Sequence, residues 1–447
     1  MVLALLILVI LSFLLCFLKS KKLALIFIVA TLPFNYPFDT FDIFSQGLSL
    51  SVVLIYLYAV LNLFNRKPIP KGKTDIDFKQ KKILFLLLYG LIIGLFQLGQ
   101  GLQFPDKSDT PELQQLVYAT MGYLSIPVFI SLLSPYQKDL VFIQYAKKIF
   151  VFTILLQLIG YTIGISHPFT SDLFYFGQSD SENLGIDIIR YKSLLSDYEL
   201  SIDYLFILIT LSYVLWLESK KKIYIAVIIS AVFLSLTTGT RSFILIISTF
   251  FALNLLLRRG NTLSKLYTVG AVLITVIVIM PLIANGPLGG LPIFARAQEV
   301  LTAINNKETL SRVTNRNFSK SFDNISSDGN VLGLGPFYLN IYKGDQMVSH
   351  NFMLALLAKF GLLGVVLFIF LMIRFLFGLW KTSRRTIGKL DKNITVIYLS
   401  AVICLIIQEL KISALRFPNI LLIYAVFFFV VSVHQQQANT RRLCLED

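Results

Sequence analysis

The chain is written as long apolar runs separated by mostly short polar gaps. A helix needs roughly 17–25 residues to cross hydrocarbon. Runs near that length fall at about 2–18, 23–36, 47–65, 83–99, 115–134, 149–166, 203–218, 223–238, 242–257, 266–284, 352–380, 394–410 and 418–433. Stretches such as LYTVGAVLITVIVIMPLIA are apolar on every face, whereas membrane-barrel strands alternate over short segments. The pattern predicts an all-α polytopic membrane protein with about 12–13 transmembrane helices.

Composition agrees with that solvent. Hydrophobic residues make up 56% of 447, with 38 Phe and 20 Tyr, and the mean hydropathy is +0.74. The net charge of +15 invites a nucleic-acid reading, but its distribution argues for topology instead. Alternate gaps carry KSKK (19–22), RKPIPKGKTDIDFKQKK (66–82), Lys138 with Lys147 and Lys148, KKK (220–222), RRGNTLSK (258–265), KTSRRTIGKLDK (381–392) and Arg441 with Arg442. By the positive-inside rule these gaps face the cytoplasm. The first run, with its basic cluster after the apolar stretch, reads as a retained helix that starts outside, the reverse of a cleavable signal peptide. Cys16 and Cys404 lie in apolar runs and Cys444 in the tail, so no exterior disulfide pair is expected.

The same alternation puts two long connections, 167–202 and 285–351, on the outer face. The expected organisation is therefore amino-terminal helices over 1–166, a first long exterior loop over 167–202 and helices over 203–284. A large exterior cap over 285–351, carboxy-terminal helices over 352–433 and a cytoplasmic tail over 434–447 follow. Long loops that are not disordered usually carry function. Within the cap, ARAQEVLTAINNKETLSRVTNRNFSKSFDNI has the spacing of one or two short amphipathic helices. In the first loop the acidic SDSENLGID (179–187) reads as a solvated segment.

Three polar positions at this outer boundary ask for a reason. Ser349, His350 and Asn351 stand where the chain re-enters the membrane, and His350 is one of only three histidines, with His167 and His434. Ser and Asn there serve equally well as helix caps. Arg241, in TTGTRSF between two adjacent runs, is a charge at the edge of hydrocarbon that requires a partner or a purpose; reaching the headgroups as an anchor is the plainer alternative. Arg190, beside Lys192 in IDIIRYKSLLSDYEL, closes the first loop, where salt bridging to Asp187, Asp197 or Glu199 is the ordinary role.

Taken together these segments resemble the O-antigen ligase and polymerase superfamily, integral membrane glycosyltransferases of the GT-C type. The likeness lies in Arg190 followed by YKSLLSDYEL, in Thr238-Gly239-Thr240-Arg241, and in GLG (333–335) followed by His350-Asn351 and GLLG (361–364). Where the family shows a Gly and an Asp/Pro/Asn group after its first arginine, this chain has SLLSDYEL. The resemblance implies a GT-C-like fold in the bacterial inner membrane with its active face periplasmic or extracellular. It implies a donor glycan on a polyprenyl diphosphate, and as acceptor a glycan or lipid A core. Arg190 and Arg241 would hold the donor diphosphate, His350 would be the catalytic base, and Asn351 and Ser349 would support it. No cofactor and no metal are implied. A chain-length regulator, a flippase and membrane lipid are the implied partners, and nucleic acid is not one.

The polymerase reading, adding repeat units to a growing lipid-linked chain, is favoured by the cap, long enough to hold two glycan chains, and by the Lys, Ile, Phe and Asn content of an AT-rich source. The ligase reading shares fold and donor. A lipid-linked sugar flippase or transporter is the alternative from another class, but such proteins show internal repeats and charged, broken helices at mid-membrane, and no half-chain similarity is visible. Asp39 and Asp42 in FDTFD are two carboxylates three apart, short of a metal coordination set.

Overall fold

The structure is a computed structural model, and it describes residues 2–34, 49–64, 113–166, 176–181, 186–195, 198–240, 242–258, 352–386, 388–411 and 418–446, with the isolated positions Gly270, Pro292 and Ile293. About 90% of it is helical. The apolar runs at 83–99 and 266–284 and the exterior cap lie outside the described residues, Gly270, Pro292 and Ile293 apart.

In chain order the described helices are α1 (Val2–Lys19), α2 (Lys21–Thr31), α3 (Leu50–Phe64), α4 (Leu113–Leu133), α5 (Leu140–Phe152) and α6 (Ile154–Ser166). A hairpin of β1 (Phe176–Ser181) and β2 (Ile186–Tyr191) precedes α7 (Tyr198–Ser219), α8 (Ile223–Thr237), α9 (Ser242–Leu257), α10 (Phe352–Arg385), α11 (Lys389–Lys411) and α12 (Pro418–Glu446). Five stretches are long and apolar enough to cross a membrane: Leu140–Ile163, Leu200–Ser219, Phe360–Arg385, Lys389–Glu409 and Asn419–Arg441. Shorter apolar helices run over Leu3–Lys19, Leu50–Phe64, Met121–Tyr136, Ile223–Thr237 and Ser242–Leu257.

What these helices expose is as informative as their length. Ile229, Leu245, Ile373 and Phe377 are each more than half exposed, and α10 turns Leu362, Leu363, Val366 and Phe370 outward as well. Water does not tolerate apolar patches of that extent on a soluble protein. Hydrocarbon does, and the fold is that of an all-α membrane protein.

Two expectations need correction. SDSENLGID is not merely a solvated loop: Ser179–Ser181 and Ile186–Asp187 belong to the antiparallel hairpin, in the register Phe176↔Tyr191 through Ser181↔Ile186. The β-branched and aromatic residues of IDIIRY suit a strand, but over six residues the pattern is too short and too irregular to distinguish a strand from a loop. Lys147 and Lys148 are also not in a gap, because α5 begins at Leu140 and carries them within a helical turn, with Lys147 buried. A helix rises only 1.5 Å per residue, so it can start well before the apolar run that it continues into.

The chain divides into two compact units: one of Met1–Phe150, Asn317–Ile373 and Leu410–Val433, the other of Val151–Arg316, Arg374–Glu409 and His434–Asp447. In the first unit α1 packs on α2, α2 on α3 and α3 on α4. Phe17 meets Tyr58 edge-on at 5.3 Å, and the Tyr56 hydroxyl donates to the Met121 carbonyl at 2.8 Å. One end of this unit gathers polar connections. Lys21 donates to Asn62 Oδ1 at 2.6 Å, Lys22 pairs with Asp139, and Asp139 caps α5 by accepting from the Phe142 amide at 3.0 Å. The Lys22 and Phe142 bonds hold the Asp139 carboxyl below its ordinary range. Elsewhere in the unit, Leu356 and Phe360 form a small core with Met353, Val365, Phe368 and Leu421. Gly361 interrupts α10 there at φ 66°, ψ −173°, a conformation essentially confined to glycine.

In the second unit α7 is the centre, buried along most of its length, with α8 and α9 against it and α6 and β2 against α8. Thr153 and Tyr204 bond at 2.5 Å, and Phe206 meets Phe250 edge-on at 5.4 Å. Arg441 holds Asp391 at 2.8 Å, and His434 lies 3.1 Å from Thr395 Oγ1 and beside the Tyr398 ring. That accounts for His434 structurally; His167 lies outside the described residues.

The connectors that meet at Lys22, Asn62 and Asp139 all border gaps that the charge rule assigns to one side. Single cysteines replacing the exposed Lys138 and Lys220 should therefore label only when reagent reaches the cytoplasm, while Asn324→Cys labels from outside. Labelling of all three from one side overturns the topology.

Candidate functional site

Of the residues singled out in the sequence, Arg190 is the one whose surroundings are described. Arg241, Ser349, His350 and Asn351 lie outside the described residues, as do Asp39 and Asp42. The neighbours of Arg241 on both sides, Thr238 to Thr240 and Ser242, are described and buried.

Arg190 is the fifth residue of β2, opposite Gly177, and only 7% exposed. Its Nε donates to the Thr238 carbonyl at 2.6 Å and its guanidinium nitrogen Nη2 to the Thr240 hydroxyl at 3.1 Å. Thr238 follows the last residue of α8. The final carbonyls of a helix lack intrahelical partners and carry the negative end of its dipole. A cation is the complement of that end, so Arg190 acts as a capping group supplied from another segment.

The turn itself is tight. Gly239 sits at φ 64°, in the left-handed region, where an L side chain costs roughly 1–2 kcal/mol. A Cβ there would also stand 2.9 Å from Pro292 Cβ and 3.2 Å from Arg190 Nε. Threonines close the remaining backbone bonds: Thr238 Oγ1 donates to the Ser235 carbonyl at 2.8 Å, and the Thr240 carbonyl accepts from Phe243 at 3.1 Å as α9 begins.

The hairpin end that carries Arg190 is fixed in turn by residues to which the sequence reading assigned no role. Gln157, buried on α6, accepts at Oε1 from the Tyr191 hydroxyl at 2.8 Å and from the Leu194 amide at 3.1 Å. Burial pushes the Tyr191 phenol well above its ordinary range, so it stays a donor. Ser193, at φ 61°, bonds Ser201 side chain to side chain, and Ser201 also donates to the Lys192 carbonyl at 2.8 Å. On the other side of the turn, Gln408 of α11 donates to the Ser242 hydroxyl at 3.2 Å. The available signal was an amide inside an apolar run, LLQLIG and IIQELK, since a polar group in hydrocarbon must find a partner or carry a cost.

The arrangement thus brings together two of the separated sequence motifs, the end of the first exterior loop and the Thr-Gly-Thr-Arg turn. Of the third, Gly361 to Gly364 is described, on α10 with Gly361 at φ 66°, while GLG (333–335), His350 and Asn351 lie outside the described residues. Among the described residues no three His, Cys, Asp or Glu side chains cluster as metal ligands do.

Gly239→Ala should cost at least about 1–2 kcal/mol from the backbone alone, with more from displacing Pro292 and Arg190. Denaturant unfolding of the purified protein in detergent measures it. Unchanged stability would mean that the turn does not depend on the left-handed residue.

The chain matches no protein-family model, and no curated protein matches it.

Proposed function

We propose that the protein is a metal-independent membrane glycosyltransferase of GT-C type that polymerises a surface polysaccharide such as O-antigen. Glycan is transferred from a polyprenyl diphosphate to an acceptor sugar hydroxyl at the outer face of the bacterial inner membrane. The observation that carries the reading is the bonding of Arg190 to the turn that leads into Arg241, across 48 and 50 residues of chain. Two cationic motifs that the family resemblance links to one ligand belong to adjoining pieces of backbone.

In this reading the acceptor hydroxyl oxygen attacks the anomeric carbon of the donor, and the bond from that carbon to the diphosphate oxygen breaks. The diphosphate leaves with the electron pair. Arginine suits such a leaving group because its planar fork binds two oxygens at once, and charge stabilisation at the breaking bond is commonly the largest catalytic contribution. His350 takes the hydroxyl proton, as a neutral imidazole can. Ser349 and Asn351 support the ring and the start of the helix that follows.

Three substitutions test the assignment in a purified assay with lipid-linked donor. Arg241→Ala should abolish transfer with insertion intact, and Arg241→Lys should restore little, because an ammonium lacks the bidentate fork. His350→Ala should lower turnover by about 10²–10⁴ and remove the acid limb that a neutral imidazole base produces. Wild-type turnover in Arg241→Ala would return that arginine to membrane anchoring, and an unchanged pH profile in His350→Ala would remove the base.

Polymerase and ligase separate in a deletion strain. A lipid A core bearing a single repeat unit is the expected phenotype. A bare core with lipid-linked polymer accumulating would instead assign the ligase step.

A further inference from the structure

The turn between α8 and α9 is gripped from two directions. From the hairpin, Arg190 binds the Thr238 carbonyl and the Thr240 hydroxyl. From α11, Gln408 reaches the Ser242 hydroxyl across 166 residues of chain, and both side chains are buried. Ser242 is the first residue of α9 and directly follows Arg241 in the chain. Packing alone does not account for an amide at position 408. Its carbonyl oxygen is buried and, among the described residues, accepts no hydrogen bond. An apolar residue of similar size would fill the space without leaving an acceptor unmet.

We infer that Gln408 is a positioning residue of the donor site. It clamps the amino end of α9 at Ser242 while Arg190 clamps the carboxyl end of α8 at Thr238 and Thr240, so that the described backbone on both sides of Arg241 is held by side chains from elsewhere in the chain. The inference rests on the proposed role of Arg241 at the leaving diphosphate. A contact that stabilises developing charge depends steeply on placement, and an error near 1 Å costs about 10²-fold in rate. Holding the turn at both ends removes the freedom that would produce such an error.

The test uses the full-length purified protein and a lipid-linked glycan donor, with turnover expressed per folded molecule. Gln408→Leu and Ser242→Ala break the same hydrogen bond from opposite sides. Each should lower kcat by about 10–100-fold with little change in KM, the signature of an interaction made in the transition state. The double variant should be no worse than either single one, as two halves of one interaction require. If Gln408→Leu does not fold, Ser242→Ala, which removes one oxygen, decides the matter. Wild-type kcat in either folded variant, a lower folded yield with unchanged kcat, or additive losses in the double variant each overturn the inference. Arg241→Ala is measured beside them. Should it lose turnover while both clamp variants keep theirs, only the positioning role falls; should it keep turnover, the donor-site reading falls and takes this inference with it.

Discussion

A guanidinium buried against the end of an apolar helix is the constraint around which the second unit is organised. Arg190 is almost wholly removed from solvent, and a charge so placed needs every hydrogen bond that it can find. It finds the Thr238 carbonyl, one of the groups that α8 leaves unbonded at its carboxyl end. Each requirement solves the other: the helix end needs a donor and the arginine needs acceptors. From this pair the neighbouring choices follow. Position 239 must be glycine, because a side chain would enter the space held by Pro292 and the arginine. The hairpin end must be immobile, which is the work of Gln157, Ser193 and Ser201.

Outside such points the molecule is held together as membrane proteins are, by close packing without a hydrophobic contrast between interior and surroundings. Apolar side chains stand on the exposed and buried faces of the same helix, as on α1 with Phe13 buried and Leu8 exposed. Polar residues inside the bundle then carry more of the specificity. The Thr153 and Tyr204 bond ties α7 to the turn between α5 and α6, and the Thr395 and His434 contact joins α11 to α12. The exposed pairs, Lys22 with Asp139 and Arg441 with Asp391, add little stability in contact with water. Their value is in marking where helices leave the apolar region.

In the proposed reaction the main demand is on the leaving group, and the turn that leads into Arg241 is braced on its described side by Arg190. A diphosphate departs with several negative charges, and donors fixed beforehand stabilise that charge without reorganising as it forms. The proposed chemistry therefore asks for one base, His350, and for a backbone that presents the cation.

Much of the fold was legible in the sequence because apolar runs report their solvent directly. The spans at 223–238 and 242–257 agree with α8 and α9 almost to the residue, and two of the gaps that charge alternation assigns to one side meet through Lys22 and Asp139. Arg190 and the Thr-Gly-Thr-Arg turn were visible as separate oddities, each a polar interruption that hydrocarbon makes expensive. Their partnership was not visible, because 48 residues of chain and a helical hairpin stand between them, and nothing local encodes which carbonyl a distant guanidinium will meet. The hairpin at 176–191 has too short an alternation to read as strands, and Lys147 and Lys148 interrupt the apolar pattern of the helix that begins at Leu140, ahead of the run at 149–166. Gln157 and Gln408 show the division most clearly. The sequence by itself determined that each buried amide must find a partner; only the tertiary structure decided that one would brace the arginine strand and the other the first residue of α9, because that choice depends on which helices become neighbours.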